Sequence, residues 1–195
     1  MKNIVGIDEV GRGPLAGPVT VCVVSCDKKI YEKLKRNKNL PALGKDSKKL
    51  KVAEREQYCN FLKQTEIFYK IVHISNKTID KIGISFAIKK AIVSGIKKLN
   101  LNPRDSEVLL DGSLSAPKEF IKQRTIIKGD EKEKIIAWAS ILAKVSRDAL
   151  MRKSSLKYPK YGFELHKGYG TLTHRKAIKK YGLSSFHRAT FISFH

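Results

Sequence analysis

The sequence predicts an α/β protein in which helices pack against a mixed β-sheet. Two apolar, β-branched runs come first, at residues 3–9 and 18–26, and such runs are typical of buried strands. Further strand-like runs then alternate with segments whose apolar residues recur about every 3.6 positions, as on one face of a helix. Strands followed by strand–helix alternation favour one sheet covered by helices.

In the first half of the chain, glycine and proline residues mark the boundaries between elements. The segment from Gly11 to Gly17 predicts a loop between the first two strands. A basic loop or short helix is expected over residues 27–49. A helix over 50–64 and a third strand over 66–74 follow.

In the second half, two strand-like runs lie between helices. Ser75 is expected to cap a short helix and Ser85 to open a longer one. Residues 107–111 and 124–130 predict the fourth and fifth strands, and both runs end in an acid. A long helix over about 132–152 then leads into a basic, aromatic tail.

Length and composition predict one domain spanning residues 1–195, with a C-terminal subregion from about 153 to 195. Hydrophobic residues make up 42% and charged residues 30% of the chain, as in globular proteins. No apolar run approaches the roughly 20 residues that cross a bilayer. The N-terminus becomes acidic at Asp8, before a signal-peptide core could form. Neither a membrane protein nor a secreted protein is expected.

The chain is strongly basic, with 40 Lys/Arg residues, 18 Asp/Glu residues and a net charge of +22. This excess favours a polyanionic partner, because binding releases counterions and long-range attraction steers the encounter. The alternative is a Lys-rich surface that only maintains solubility.

The cysteines indicate the compartment. Cys22, Cys26 and Cys59 cannot all pair with one another. Cys22 and Cys26 lie four residues apart in a strand-like run and therefore point to one face. We expect buried free thiols and a reducing compartment, the cytoplasm.

Three predicted strands end in acids: Asp8-Glu9, Asp111 and Asp130. The ends of strands can meet at one edge of a sheet, where carboxylates about 4 Å apart repel by about 4 kcal/mol at an effective dielectric of 20. A divalent cation converts this repulsion into binding, and oxygen-only ligands suit Mg²⁺ or Mn²⁺. The alternative is that these acids only cap turns.

The segment Gly11-Arg12-Gly13 begins a formal match to the dinucleotide-binding pattern G-x-G-x-x-A. Pro14 and Pro18 would interrupt the helix that such a site requires. A turn that lets backbone amides and Arg12 approach a nucleic-acid backbone is the better interpretation. A plain tight turn remains the alternative.

Two further segments carry candidate binding residues. Ser47 and Lys48 place a hydroxyl and a cation at a predicted helix start, where anions bind, although a simple cap beside solvated charges is equally consistent. Tyr169 lies between two glycines in the basic tail and could stack on a sugar or base. The alternative is an aromatic side chain packed in a loop.

Six segments, in chain order, resemble the ribonuclease HII family. They are GIDEVGRGPLAGPV (6–19), DSKKL (46–50), LLDG (109–112), KGD (128–130), ASILAKVSRD (139–148) and HKGYGT (166–171). The resemblance runs from about residue 3 to 191. The chain departs from the family pattern at Val10, where Ala is frequent, and at Ser146, where Thr is frequent. It also lacks the Asn-Arg that follows LLDG in some members.

The resemblance implies a ribonuclease H-like fold, with a mixed sheet flanked by helices and a helical C-terminal part. It implies endonucleolytic cleavage of RNA in RNA–DNA hybrids and at ribonucleotides embedded in duplex DNA, leaving 3′-hydroxyl and 5′-phosphate ends. Asp8, Glu9, Asp111 and Asp130 would be the catalytic acids and would bind two Mg²⁺ or Mn²⁺ ions. The enzyme is expected to be a cytoplasmic monomer without membrane attachment.

The same resemblance assigns the substrate-binding residues. The turn Gly11-Arg12-Gly13 would read the 2′-hydroxyl, which distinguishes RNA from DNA. Tyr169 would stack against the deoxyribose on the DNA side. Ser47 and Lys48 would hold phosphates.

Three other functions stay open on the residues alone. A non-catalytic nucleic-acid-binding module would explain the charge but not the acids at strand ends. A metal nuclease of the same fold, such as a junction resolvase, would act on DNA without ribose. A dehydrogenase rests only on the glycine pattern.

Overall fold

The computed structural model describes residues 2–37 and 50–192, and a five-stranded sheet lies at its centre. The strands are β1 Asn3–Val10, β2 Val19–Asp27, β3 Phe68–Ile74, β4 Ser106–Asp111 and β5 Gln123–Ile126. Their order across the sheet is β3-β2-β1-β4-β5. β2 pairs antiparallel with β1 and β3, whereas β4 pairs parallel with β1 and β5. The sheet is therefore mixed, as predicted.

Helices connect the strands and continue beyond the last one. They are α1 Lys28–Lys35, α2 Val52–Lys63, α3 Asn76–Ile82, α4 Ile84–Lys98, α5 Gly129–Lys132, α6 Lys134–Lys157, α7 Phe163–His166 and α8 Leu172–Tyr181. Short 3₁₀ turns occupy Pro103–Asp105, Pro159–Tyr161 and Ala189–Phe191. The expected helical C-terminal part is thus present.

Several boundaries differ from the sequence prediction. Ser75 caps α3 as expected, but α4 begins at Ile84, so Ser85 lies inside it. The fifth strand ends at Ile126 because Lys128 adopts a left-handed conformation (φ 54°) and starts a helix. Helix α6 continues to Lys157, through the expected start of the C-terminal subregion.

Helix α6 covers one face of the sheet. Its residues Ile135, Trp138 and Leu142 belong to the same buried cluster as Ile4 of β1 and Leu109 of β4. The helix approaches β1 so closely that a Cβ atom on Gly6 would lie 2.4 Å from the carbonyl oxygen of Ile135. Only glycine fits at this contact.

Helix α4 covers the opposite face. Its residues Ile88 and Ile92 share a buried cluster with Val5 and Ile7 of β1. Because successive strand residues point to opposite faces, β1 contributes alternate side chains to the two clusters. Strand β2 is enclosed from both sides, and eight of its nine residues are buried.

A third cluster joins the loop after β1 to the C-terminal helices. Its members are Leu15, Ala16, Met151, Tyr161, Phe163 and Ile178. This packing brings the tail of the chain to the end of β1, which the separation in sequence does not suggest.

The three cysteines, Cys22, Cys26 and Cys59, are buried free thiols, as predicted. Among residues 2–37 and 50–192, no helix is long and apolar enough to span a bilayer.

Candidate active site

Asp8 and Asp111 lie side by side on neighbouring parallel strands. The register of β1 against β4 pairs Ile7 with Leu110, so the next residue on each strand is one of these acids. Neighbouring strands run about 4.8 Å apart. Both side chains project from the α6 face, because Ile4 and Leu109, an even number of residues away, pack there. The sheet thus brings two of the predicted acids together at its edge.

The environment of Asp8 disfavours an isolated negative charge. The residue is only 4% exposed. Burial raises the pKa of Asp8 well above its usual value, and the nearby charges of Glu9 and Asp111 raise it further. Hydrogen bonds from Ser140 and from the backbone N–H of Glu9, the latter at 2.7 Å, act in the opposite direction.

The backbone of Asp130 lies near Asp111, in a short helix that follows β5. The backbone N–H of Gly129 donates to Oδ1 of Asp111 at 2.6 Å, and Asp130 follows directly in α5, with 4% exposure. A Cβ atom on Gly129 would lie 2.6 Å from Cδ1 of Ile136, so glycine permits this close approach. The prediction that Asp130 ends a strand is wrong. The apolar run before it includes Ile127, which is 74% exposed and lies outside β5.

Glu9 projects from the opposite face of β1 to Asp8. Its Oε1 lies 3.7 Å from a terminal guanidinium nitrogen of Arg12. Arg12 keeps half of its side-chain surface exposed, so the guanidinium remains accessible beside the carboxylates.

The four acids suit a hard divalent cation by their chemistry. All donors are oxygen, and buried Asp8 lies among like charges that a cation would neutralise. Within the described part of the chain, however, no three acidic, cysteine or histidine side chains are already gathered for a metal ion. One oxygen of Asp111 accepts from Gly129, and Glu9 is paired with Arg12.

Two fully buried arginines hold the loop from Gly11 to Gly17. Arg188 donates to the carbonyl oxygens of Gly11, Arg12 and Gly17 at 2.7, 2.9 and 2.9 Å. Arg147 of α6 donates to the carbonyl oxygens of Ala16, Pro18 and Lys167 at 3.3, 2.9 and 3.0 Å. These charge-assisted bonds fix the loop against α6 and the tail.

Gly11 is needed at its position for two independent reasons. Its φ of +87° is unfavourable for other residues, and a Cβ atom would lie 2.2 Å from Nε of Arg147. Gly13 has open space around it. The pattern that resembles a dinucleotide motif is therefore a loop whose first glycine packs on a buried guanidinium. No helix begins at this loop.

Tyr169 is connected to the same loop. The backbone N–H of Leu15 donates to the carbonyl oxygen of Gly168 at 2.8 Å. Gly168 has a φ of +85°, and a Cβ atom there would lie 2.5 Å from the carbonyl oxygen of Ala16. Tyr169 is 42% exposed. The loop and this aromatic residue, which are far apart in sequence, thus form one surface.

Two buried histidines link the carbonyl of Tyr169 to the end of the chain. The backbone N–H of Ser184 donates to Nδ1 of His187 at 2.9 Å, so Nε2 of His187 carries the proton and donates to Nε2 of His174 at 3.1 Å. Nδ1 of His174 then donates to the Tyr169 carbonyl oxygen at 2.9 Å. Burial lowers the pKa of His174 to about 4 and lowers that of His187, in keeping with neutral rings.

Two predicted phosphate-binding residues, Ser47 and Lys48, lie outside the described residues. Conversely, no sequence pattern assigned a role to Arg147, Arg188 or His174. For Arg147 a signal existed, because it lies four residues from Ala143 and from Met151, both on the buried side of α6.

Comparison with known proteins identifies the family. The family model for ribonuclease HII matches residues 5–194. A ribonuclease HII of Clostridium beijerinckii is 44% identical over 192 residues, which cover 98% of this chain and 68% of that protein.

Solved structures share the fold. The ribonuclease H2 of Pyrococcus horikoshii gives a TM-score of 0.73 at 26% identity, covering 96% of this chain and 93% of that chain. Bst-RNase HIII, solved in complex with Mn²⁺, gives 0.68 at 20% identity, covering 93% and 63%. The predicted ribonuclease H-like fold is confirmed.

The family match spans nearly the whole chain, and the fold agrees with it. The chain therefore belongs to the ribonuclease HII family, and the expected activity of a ribonuclease H, a hydrolase that cuts RNA in RNA–DNA hybrids, is confirmed.

Proposed function

We propose that the chain cleaves RNA in hybrids and at single ribonucleotides in duplex DNA, with Asp8, Glu9, Asp111 and Asp130 holding two Mg²⁺ or Mn²⁺ ions. The side-by-side position of Asp8 and Asp111 carries this proposal, because like charges at a buried edge favour a cation. Bound divalent ions would supply positive charge to the scissile phosphate and lower the pKa of a water nucleophile.

The chain's own residues would position the substrate. Arg12 offers an exposed guanidinium next to Glu9 for a phosphate or ribose oxygen. The Gly11-Arg12-Gly13 turn, held by Arg188, would contact the 2′-hydroxyl of the ribonucleotide. Tyr169, tied to the turn through Leu15 and Gly168, would stack on the deoxyribose that follows. The phosphate-binding roles of Ser47 and Lys48 also remain part of the proposal.

The compartment and the oligomeric state of the enzyme are also part of the proposal. Three buried free thiols are compatible with a reducing cytoplasm. We further propose a monomer that binds its nucleic acid without membrane attachment.

A cleavage assay on duplex DNA with one ribonucleotide tests the function. In Mg²⁺ we expect one cut beside the ribonucleotide, with 3′-hydroxyl and 5′-phosphate ends, and no cut in EDTA. The variant D111N should be inactive, and an all-DNA duplex should stay intact. Cutting of the all-DNA duplex would favour a DNA nuclease instead. Binding without cutting would indicate a non-catalytic module.

A further inference from the structure

An open cavity of about 240 Å³ lies beside the candidate active site, on the α4 face of the sheet. Arg12, Ser85, Lys89, Ser113 and Ser115 supply its polar lining. Ser113 follows Asp111 by two residues, so their Cα atoms lie within about 7 Å. Arg12 pairs with Glu9. The cavity therefore lies close to the backbone of Asp111 and to the Arg12–Glu9 ion pair, although the Asp111 side chain projects from the other face of the sheet.

The chemistry of the lining is suited to one kind of ligand. It contains two cations and three hydroxyl groups, and none of the lining residues among those that the structure describes is acidic. Both cations are reachable, since Lys89 is exposed and half of the Arg12 side chain is exposed. Cations and hydroxyl donors are the usual partners of phosphate oxygens. The volume is below the range of drug-sized pockets, and this favours a small unit such as one sugar-phosphate.

An exposed aromatic side chain, which does not itself line the cavity, lies next to Lys89. Phe86 is 66% exposed on the first turns of α4, and Nζ of Lys89 lies 5.8 Å from the centre of its ring. An exposed ring beside cations is a common feature of surfaces that bind nucleic acid, because sugars and bases pack on the ring while the cations meet phosphates.

We propose that this cavity, which we call the α4 subsite, binds one backbone phosphodiester of the nucleic acid next to the cleavage position, with Lys89 as its principal cation. The inference rests on the proposed function, because it requires a hybrid bound at the carboxylates. It adds a contact on the face of the sheet opposite to Asp8 and Asp111, so the substrate backbone passes over the end of β1 and across α4.

Binding measurements on matched lysine variants test the subsite. Lys90 is the neighbouring residue of α4; it is also exposed but does not line the cavity. K89A and K90A lose the same charge. In EDTA, K89A should bind a short RNA–DNA hybrid about 3- to 10-fold more weakly than the parent. Its salt slope should be smaller by about 1, as expected for one lost phosphate contact. K90A should match the parent.

A set of hybrids, each with one uncharged methylphosphonate in place of a phosphodiester, locates the contact and its strand. At one position the methylphosphonate should weaken the binding of the hybrid to the parent and to K90A. At the same position it should not change the binding of the hybrid to K89A. The inference is overturned if no position shows this coupling, or if K89A and K90A behave alike.

The parent protein separates this inference from the proposed function. If the parent neither binds nor cuts the hybrid in Mg²⁺, the proposed function itself fails. If the parent cuts normally and Lys89 shows no coupling to any phosphate, only the α4 subsite is wrong. Thermal unfolding of K89A, whose side chain is exposed, checks that the fold is retained.

Discussion

The backbone N–H of Leu15 donates to the carbonyl oxygen of Gly168 across 2.8 Å. This bond connects the loop proposed to contact the ribose with the segment that carries Tyr169. The loop and the segment come from opposite ends of the chain, so substrate recognition depends on how the tail packs against the end of β1.

Gly168→Ala should break this connection. The residue has a φ of +85°, and a Cβ atom would lie 2.5 Å from the carbonyl oxygen of Ala16. We expect the free energy of unfolding in urea to fall by about 2–4 kcal/mol and cleavage to weaken. Gly182→Ala is the control, because Gly182 also has a positive φ but open space around it. Equal losses in the two variants would show that the contact with Ala16 is unimportant.

Arg188→Lys should loosen the loop itself. Lysine cannot replace three guanidinium bonds to the carbonyl oxygens of Gly11, Arg12 and Gly17. We expect a loss of about 2–4 kcal/mol in unfolding free energy and a higher KM for the hybrid. Arg152→Lys alters an exposed ion pair with Glu56 and should cost less than about 0.5 kcal/mol. An Arg188→Lys protein as stable as Arg152→Lys would contradict this account.

Tyr169→Ala should reduce cleavage of duplex DNA that contains one ribonucleotide by about 10-fold or more, because one stacking contact contributes about 1–3 kcal/mol. Tyr169→Phe keeps the ring and should retain most of the activity. Tyr181→Ala is a matched control, since Tyr181 is 43% exposed against 42% for Tyr169. If Tyr169→Ala cleaves this substrate at the rate of the parent, Tyr169 serves only in packing and does not stack on the substrate.

Asp8→Asn should remove activity while stabilising the metal-free protein. The amide avoids the cost of a buried charge next to Glu9 and Asp111. We expect Tm in EDTA to rise by about 2–4 °C, which corresponds to roughly 1 kcal/mol in a protein of this size. Mg²⁺ should raise the Tm of the parent but not that of the variant. Normal cleavage by Asp8→Asn, or an equal rise in Tm with Mg²⁺ for both proteins, would remove Asp8 from the metal site.

Acidification should destabilise the fold through His174. Burial lowers the pKa of His174 to about 4, whereas an unfolded chain titrates near pH 6.5, about the usual histidine value. The fold therefore requires the neutral ring. Its contribution is complete above about pH 6.5 and is lost as the pH falls toward 4. We expect a loss of about 2 kcal/mol between pH 7.5 and 5 and of about 3 kcal/mol by pH 4, because one pKa unit corresponds to about 1.4 kcal/mol. His187, whose pKa is also lowered, should act in the same direction.

Urea unfolding at several pH values between 7.5 and 5 measures this dependence. The variant His174→Gln cannot titrate at this position and should give a flatter curve than the parent. Parallel curves for the two proteins would show that His174 does not carry the acid sensitivity.

Much of the fold was predictable because its signals are local. The β-branched runs of β1 and β2 and the 3.6-residue period of α4 are visible within single segments. The error at Asp130 has the same origin. An apolar run that ends in an acid is typical of a strand. Here, however, Lys128 adopts a left-handed backbone conformation, and Asp130 lies in the helix that follows it.

The five strands, the helices α2, α3, α4 and α6, the family resemblance and the four candidate acids were predictable, since each depends on residues close together along the chain. Three relationships are visible only in the folded chain: Asp8 stands beside Asp111, Arg147 and Arg188 hold the Gly11–Gly17 loop, and His174 supports Tyr169. These relationships join residues that are mostly distant in sequence. They arise from strand register and from the packing of α6 and the tail, which no local period encodes.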